Sequence, residues 1–531
     1  MRLKIPGLPQ DSVLFLSLLI FLFPLFLLEY PILQYSNGLF IYPFDEEYIR
    51  MATAKNLAFH GVWGLLGTEF SSASSSILYP LLLAVLYKVF GLWSGIPFVV
   101  NLLTALLLIW VVKRWLQKQG LTPWAQFLTL SAIILLTPLP TLVMTGMEHS
   151  LQMLVTFLFV GRLFGRDREP DWKLYLLGML LTGIRYEGIF VIAVAAIYLL
   201  YKRRMMQALM LLLTSLLPIV MFGWYSLSKG GYFVPNSLLI KAMPIPLDGE
   251  NIQKFIISDI FTRLVFSYNT ASAIATSRLV LILPILYGVF YDQLKEQPLY
   301  RKILLASLVV TILHLALSST VFYFRYEAYL IAGALLIGGV LFSRYGGGVW
   351  SGKAGAARWV AVWAGLVLVI PMIKRGWQAY GDTSTACFRT YEQSYQAARF
   401  IRQYYNGASV VSDDIGITSY LSDGIKLDLY NGIGYTPAVR AREESYFQVV
   451  YARDVINREK ATLAIVEEFK YSPSLLYYWR KVATWGTNNK VVLHSPQLSI
   501  YALTKADSAG LSNKLRDFQP SLPGSVLVTY P

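Results

Sequence analysis

Three consecutive carboxylates stand in Phe44-Asp45-Glu46-Glu47-Tyr48, just beyond the first long apolar run of the chain. Carboxylates so close repel one another, and a partly dry setting at a membrane surface penalises their charge further. Both effects raise at least one pKa toward a value useful to a general base. A solvated charge run opening an amphipathic helix has the same spacing, because acidic residues favour helix N-termini. Further ionisable residues fall near the ends of other apolar segments. Glu148 sits in Thr145-Gly146-Met147-Glu148-His149, Arg185 and Glu187 in Gly183-Ile184-Arg185-Tyr186-Glu187-Gly188, and Arg325 and Glu327 in Phe324-Arg325-Tyr326-Glu327. Ionisable groups at membrane depth are costly and usually line a cavity or pathway. Taken singly, each also fits a structural ion pair or a side chain snorkelling to the interface. Carboxylates and arginines together suit a phosphate-bearing substrate, since Arg pairs with phosphate through two parallel hydrogen bonds.

The elements that must position these residues are apolar. Of 531 residues, 55% are hydrophobic and only 15% charged, with a mean hydropathy of +0.50, which excludes an ordinary soluble enzyme and a disordered chain. The net charge of +15 fits basic loops and anionic lipid, so no nucleic-acid partner is expected. One cysteine, Cys387, excludes an intrachain disulfide, and four histidines leave little room for a His/Cys metal site.

Apolar runs long enough to be spans, or nearly so, fall at Val13–Leu28, Pro97–Val112, Trp124–Val143, Leu151–Phe164, Trp172–Ile184, Ile189–Tyr201, Leu209–Leu227, Leu279–Tyr291, Ile303–Val321, Tyr326–Phe342 and Arg358–Ile373, about eleven in all. Ile77–Phe90 is apolar but short and contains Lys88, so it reads as a helix lying along the surface. With the N-terminus inside, Lys113/Arg114/Lys118, Arg162/Arg166/Arg168, Lys202/Arg203/Arg204, Lys295/Arg301/Lys302 and Arg344/Lys353 all fall on inside loops. Counting Ile77–Phe90 as a span would invert that asymmetry. Asp45, Glu148, Arg185, Glu187 and Arg325 then share the outer face. So do a first loop (30–96), a middle loop (228–278) and a tail from about residue 376. The tail alternates strand-like runs (Ser409–Ser412, Leu463–Val466, Lys490–Leu493, Ser499–Ala502) with a helical stretch, Tyr391–Tyr405, as a small α/β domain does. The expected division is a membrane part, 1–375, and an extracytoplasmic domain, 376–531.

In order along the chain, several short motifs resemble those of the GT-C superfamily of membrane glycosyltransferases, which use polyprenyl-phosphate sugars. The branch containing mycobacterial arabinofuranosyltransferases is the more specific likeness. An Asp-Asp-Ala-Tyr-Ile loop start is matched by Asp45-Glu46-Glu47-Tyr48-Ile49, and a Ser-Ser-Pro-Leu stretch by Ser74-Ser75-Ser76-Ile77-Leu78 without its proline. Gly-Leu-Glu-Thr-Ala-Leu resembles Gly146-Met147-Glu148-His149-Ser150-Leu151, and Arg-Pro-Glu-Gly resembles Arg185-Tyr186-Glu187-Gly188. The Tyr-Gly…Pro-Asn-Thr…Lys motif corresponds to Gly231-Tyr232 through Pro235-Asn236 to Lys241, and Arg-Tyr to Arg325-Tyr326. In the tail, Asp414-Ile415-Gly416, Tyr420, Asp428-Leu429 and Gly432 follow the family's last pattern.

The resemblance implies a polytopic helical membrane enzyme of the bacterial inner membrane, with its active site on the outer face. Its donor would be a polyprenyl-phosphate monosaccharide and its acceptor an envelope glycan, lipid or protein; membrane lipids surround it. Asp45 is the expected base toward the acceptor hydroxyl, with Glu46 second. Arg185, Lys241 and Arg325 would receive the departing phosphate. Glu148 and Glu187 would hold those cations or bind sugar hydroxyls, and Asn236 and Tyr326 complete the substrate-binding set. His149 binds sugar or packs at the interface, and Asp413 and Asp428 read as turn and capping residues. No cofactor is assigned, and a divalent metal bridging carboxylates and phosphate stays open. The rivals are a lipid-linked glycan flippase, a polymerase or ligase of envelope polysaccharide, and a structural subunit of an envelope complex.

Overall fold

The structure is a computed structural model and describes residues 8–165, 171–241, 271–318, 324–350, 356–430, 449–489, 495–504 and 507–531. Most of the middle loop, Arg166, Arg168, Lys353, Gly432, the expected strand Lys490–Leu493 and the side chain of Lys241 lie outside the described residues. Contacts divide the chain into two units. One is Met1–Leu28, Val99–Ile219 and Lys241–Gly381. The other is Glu29–Phe98, Val220–Ile240 and Asp382–Pro531, so the first loop groups with the tail rather than with the helices that flank it.

The first unit consists of helices joined by turns, with no strand among its described residues. Each of the apolar runs predicted from sequence lies on helix over most of its length. Gln10–Tyr35, Ile96–Lys118, Met205–Ser228, Pro298–Leu317 and Ala328–Gly346 are long and apolar enough to cross a membrane. Shorter apolar helices include Pro123–Leu136, His149–Leu163, Trp172–Ile184 and Gly188–Tyr201. The run Trp124–Val143 is not one helix. It breaks after Leu136 and resumes as Leu139–Met144. Pro138 and Pro140 lack the N–H a continuing helix needs, and each disfavours helical backbone in the residue before it.

The second unit is built around the helix Asp45–His60. Gly61 closes it in left-handed backbone (φ 69°), its N–H returning to Leu57 O at 3.2 Å. The helix Leu78–Phe90 packs on it through Tyr79, Leu83, Ala84 and Tyr87, while Leu81, Leu82, Val85, Val89 and Phe90 face outward. An amphipathic helix of that kind suits a membrane surface. The tail carries a six-stranded sheet of β1 (Val410–Ser412), β2 (Lys426–Leu427), β3 (Leu463–Val466), β4 (Arg480–Gly486), β5 (Gln497–Ala502) and β6 (Leu527–Thr529), in the order β2-β1-β3-β5-β4-β6. β1 pairs parallel with β2 and β3, and the remaining pairs are antiparallel.

Both sheet faces are covered. Leu463 and Ile465 enter a core with Phe400, Trp485 and Phe518, whereas Ala464 and Val466 enter another with Val455, Tyr471 and Trp479. Strands buried on two sides read as continuous apolar runs, which is why Leu463–Val466 is legible in sequence. β2 is only two residues long, β4 opens with Arg480-Lys481 and carries a bulge, and β6 is an edge strand; none of the three shows that signature. Tyr391–Tyr395 forms a π-turn between the long helix Ala356–Thr390 and the helix Gln396–Tyr404.

Candidate active site

Asp45 opens the helix Asp45–His60, and its carboxylate is occupied. Oδ2 accepts from Gly416 N and Oδ1 from Ile417 N, each at 2.8 Å. These N–H groups belong to the first turn of the helix Ile415–Leu421, where no intrahelical acceptor exists for them. Ten residues further along, Lys55 Nζ donates to Ser419 O at 2.8 Å and Tyr420 O at 3.0 Å, at the other end of that helix. One helix therefore supplies a negative group to the start of the other and a positive group to its end, the signs that peptide dipoles favour. Burial pushes the Asp45 carboxyl well above the usual carboxylate range and Asp414 adds to the shift, against the two backbone N–H groups. Burial lowers Lys55.

The flanking acidic residues differ. Glu46 is half-buried and Glu47 fully buried. Arg50, which was not singled out from sequence, is also buried. It donates to Glu46 O at 2.7 Å and to Ser75 Oγ at 3.1 Å, tying the acidic turn to the serine stretch. Its position four residues after Glu46 was the available signal. Asn236 is buried, and its backbone N–H donates to Ser72 O at 2.9 Å, so the Pro235-Asn236 motif and the serine stretch meet. Asp428 accepts from Tyr430 N at 3.1 Å, the expected turn role. Asp413 instead accepts from Glu467 N (2.7 Å) and Tyr471 Oη (2.5 Å), linking the end of β1 to the end of β3.

In the first unit, Glu148, Arg185, Glu187, Arg325 and Tyr326 come together. Arg185 Nη1 donates to Glu148 Oε1 at 2.8 Å. Its Nη2 and Nε donate to Glu187 Oε1 and Oε2 at 2.5 and 3.1 Å, a two-pronged pair. The guanidinium carbons of Arg185 and Arg325 lie 4.7 and 5.1 Å from the centre of the Tyr326 ring. His149 meets that ring edge-on at 5.3 Å and is buried. Arg325 Nη1 lies 2.7 Å from Met147 Sδ. The turn geometry makes this convergence possible. Glu148 and Glu187 immediately precede the first residues of their helices, Arg185 immediately follows the helix Trp172–Ile184, and Arg325 and Tyr326 precede the helix that starts at Ala328.

Next to this cluster, Glu327 pairs with Arg375 Nε at 2.8 Å, and Arg375 also donates to Leu136 O (2.8 Å) and Phe324 O. His314 Nδ1 meets Tyr329 Oη at 3.2 Å. Neither Arg375 nor His314 was singled out from sequence. A charge just past an apolar run was the signal for Arg375. Among the described residues no group of three or more His, Cys, Asp or Glu side chains is placed to hold a metal ion.

Residues 384–501 match a family model described as a domain of unknown function (DUF8728). No curated protein matches the chain. Among solved structures, ArnT from Cupriavidus metallidurans bound to undecaprenyl phosphate is 13% identical, with a TM-score of 0.50 over 93% of this chain and 98% of that one. The apo state of the same protein gives 11% identity and a TM-score of 0.51 over the same shares. The mycobacterial arabinofuranosyltransferase AftD, 13% identical, is matched over 94% of this chain and 42% of its own length, with a TM-score of 0.43. At such identities the likeness is one of fold, and it extends over nearly the whole chain: the protein shares the fold of the ArnT structures.

Proposed function

We propose that the protein transfers a monosaccharide from a polyprenyl-phosphate carrier to an envelope glycan, lipid or protein on the outer face of the bacterial inner membrane. The observation that carries this reading is the buried pair of guanidiniums over Tyr326, with Arg185 gripped by Glu148 and Glu187. Undecaprenyl phosphate, bound by the ArnT structure, is a lipid of this carrier class. A departing lipid phosphate carries negative charge that preorganised cations stabilise in a dry site. Arg185 with its two carboxylates carries a net charge of −1, so its role is to order the turn. Arg325, with Lys241, is assigned to the phosphate.

Asp45 remains the first choice for the base that takes the acceptor proton. Each of its oxygens keeps a lone pair beyond the backbone N–H it accepts, and its raised pKa suits proton abstraction. A second reading assigns the base to Glu46 and makes Asp45 the fastener; the occupation of both Asp45 oxygens favours it. The test is transfer by the purified protein from a panel of polyprenyl-phosphate sugars. Formation of a glycosidic product that disappears in Arg325→Ala supports the assignment. Movement of a lipid-linked glycan across vesicles with no new glycosidic bond would replace it with a flippase.

A further inference from the structure

Five helices of the first unit line a cavity of about 740 Å³. Its charged end lies where Ile96–Lys118 and Gly188–Tyr201 finish, where Pro298–Leu317 starts, and late in Ala328–Trp350. Lys118, Lys202, Lys302 and Arg344 line it there, and no described lining residue is Asp or Glu. Lys202 and Lys302 stand close enough to repel one another. Aromatic rings fix the cations against the wall: Lys302 lies 5.6 Å from the ring centre of Tyr198 and Arg344 5.5 Å from that of Tyr300. Tyr300 Oη in turn donates to Gln119 Oε1 at 2.7 Å, and Arg344 donates to Gln119 O.

Away from this end the lining turns apolar, through Val191, Ala195, Val310 and Ile337, and reaches Thr156 and Tyr329. A cationic end continuous with an apolar depth matches an amphiphile better than a free ion. The volume lies in the range of ligand pockets. This end also carries the basic loops that sequence places on the inside, where anionic headgroups concentrate and where basic pockets between helices take them up. The charged end lies at the opposite end of the helix Gly188–Tyr201 from the Arg185 cluster, about 20 Å away at 1.5 Å per residue, whereas the far end of the cavity reaches Tyr329, beside that cluster.

We propose that this cavity binds an anionic phospholipid, its phosphate held by Lys202 and Lys302 and an acyl chain lying in the apolar depth. The test uses the full chain in detergent, titrated with dioleoylphosphatidylglycerol, dioleoylphosphatidylcholine or inorganic phosphate. Native mass spectrometry reads lipid occupancy and the thermal midpoint reads all three. Saturable phosphatidylglycerol binding is expected, with little phosphatidylcholine binding and little effect of phosphate. Each Lys→Gln change at 202 and 302 should weaken it about five-fold, and the double change about 25-fold. Lys113→Gln, outside the cavity, should leave it unchanged. Gly333 lines the cavity, and a Cβ there would meet no atom within 4 Å, so Gly333→Leu should fill the depth without disturbing the fold and also lower occupancy. Equal binding of the two lipids, an unchanged double variant, or an unchanged Gly333→Leu would overturn the proposal. Equal protection by phosphate alone would replace the lipid with a free anion.

Discussion

Gly416 lies so close to Asp45 that a Cβ on it would stand 2.4 Å from the Asp45 carbonyl oxygen and 2.5 Å from Ile49 N, while its own N–H donates to Asp45 Oδ2 at 2.8 Å. The hydrogen bond and the missing side chain are one device. Only glycine brings the backbone near enough for the helix N-terminus to meet the carboxylate squarely.

Gly416→Ala should therefore separate the helices Asp45–His60 and Ile415–Leu421. The obstructing atoms are backbone, which cannot rotate away, so a loss of roughly 1–3 kcal/mol is expected. Thermal unfolding of the full chain measures it. Gly510→Ala is the matched control: it lies in the helix Asp507–Phe518 with no atom within 4 Å of a Cβ, and should stabilise by about 0.5–1 kcal/mol. Equal effects at the two positions would remove the steric account.

Asp45→Asn does more than delete a base. An amide presents one N–H₂ group where a carboxylate presents a second acceptor, so either Gly416 or Ile417 loses its partner. Lowered turnover, about 10²–10⁴-fold, should come with a lowered thermal midpoint. Glu46→Gln should lower the midpoint less than Asp45→Asn does, because it leaves the bonds from Gly416 and Ile417 to Asp45 in place. If Glu46→Gln abolishes transfer while Asp45→Asn slows it in proportion to its instability, the base is Glu46.

Arg185 and Arg325 should respond differently. Arg185→Lys replaces a fork by a single ammonium and breaks the two-pronged contact to Glu187 inside a buried cluster, where uncompensated charge costs about 3–5 kcal/mol. Its main effect should appear in unfolding. Arg325→Lys should act mainly on turnover, by about 10- to 150-fold, the equivalent of one charge-assisted contact. The same midpoint loss in both would cancel the division of roles.

The α/β tail should become less stable as pH rises from about 4 to 7. Burial raises Asp413 from 3.8 to about 7, with Lys470 opposing. Across that window the unfolded chain has released the proton while the folded chain keeps it, so rising pH favours unfolding. Asp45 shifts in the same sense. Comparing thermal midpoints at pH 5 and pH 8 should show a drop that is smaller in Asp413→Asn. An identical drop in the variant would exclude Asp413 as its source.

The charged cluster around Arg185 was legible in sequence because charge inside apolar surroundings stands out. Glu148, Arg185, Glu187 and Arg325 are marked in that way, Tyr326 is marked by the Arg-Tyr resemblance, and the five converge. The partners of Asp45 were not legible. A backbone N–H has no letter in the sequence, and Gly416 sits 371 positions from the carboxylate it serves. Lys55 was hidden for the same reason, since it acts on carbonyl oxygens. The helical runs were readable from apolar content, but the break at Pro138 was not placed. In the tail, strands buried on two faces were found and those with polar or edge positions were missed. The grouping of Glu29–Phe98 with the tail depends on contacts across hundreds of residues, which local pattern does not encode.

The 371-residue interval between Asp45 and Gly416 is also a delay during synthesis. At roughly 5–20 residues per second, a ribosome needs on the order of 20–75 s after making Asp45 before it makes the amide that Asp45 will bind. A 16-residue helix without tertiary support is marginal in water. The acidic turn must therefore wait, hydrated and fully charged, beside a membrane whose later helices are still being inserted. A ribosome that stalls before residue 416 leaves a chain whose hydrophobic helices are present while its first loop has nothing to fold against, and that loop is where a quality-control protease would cut first.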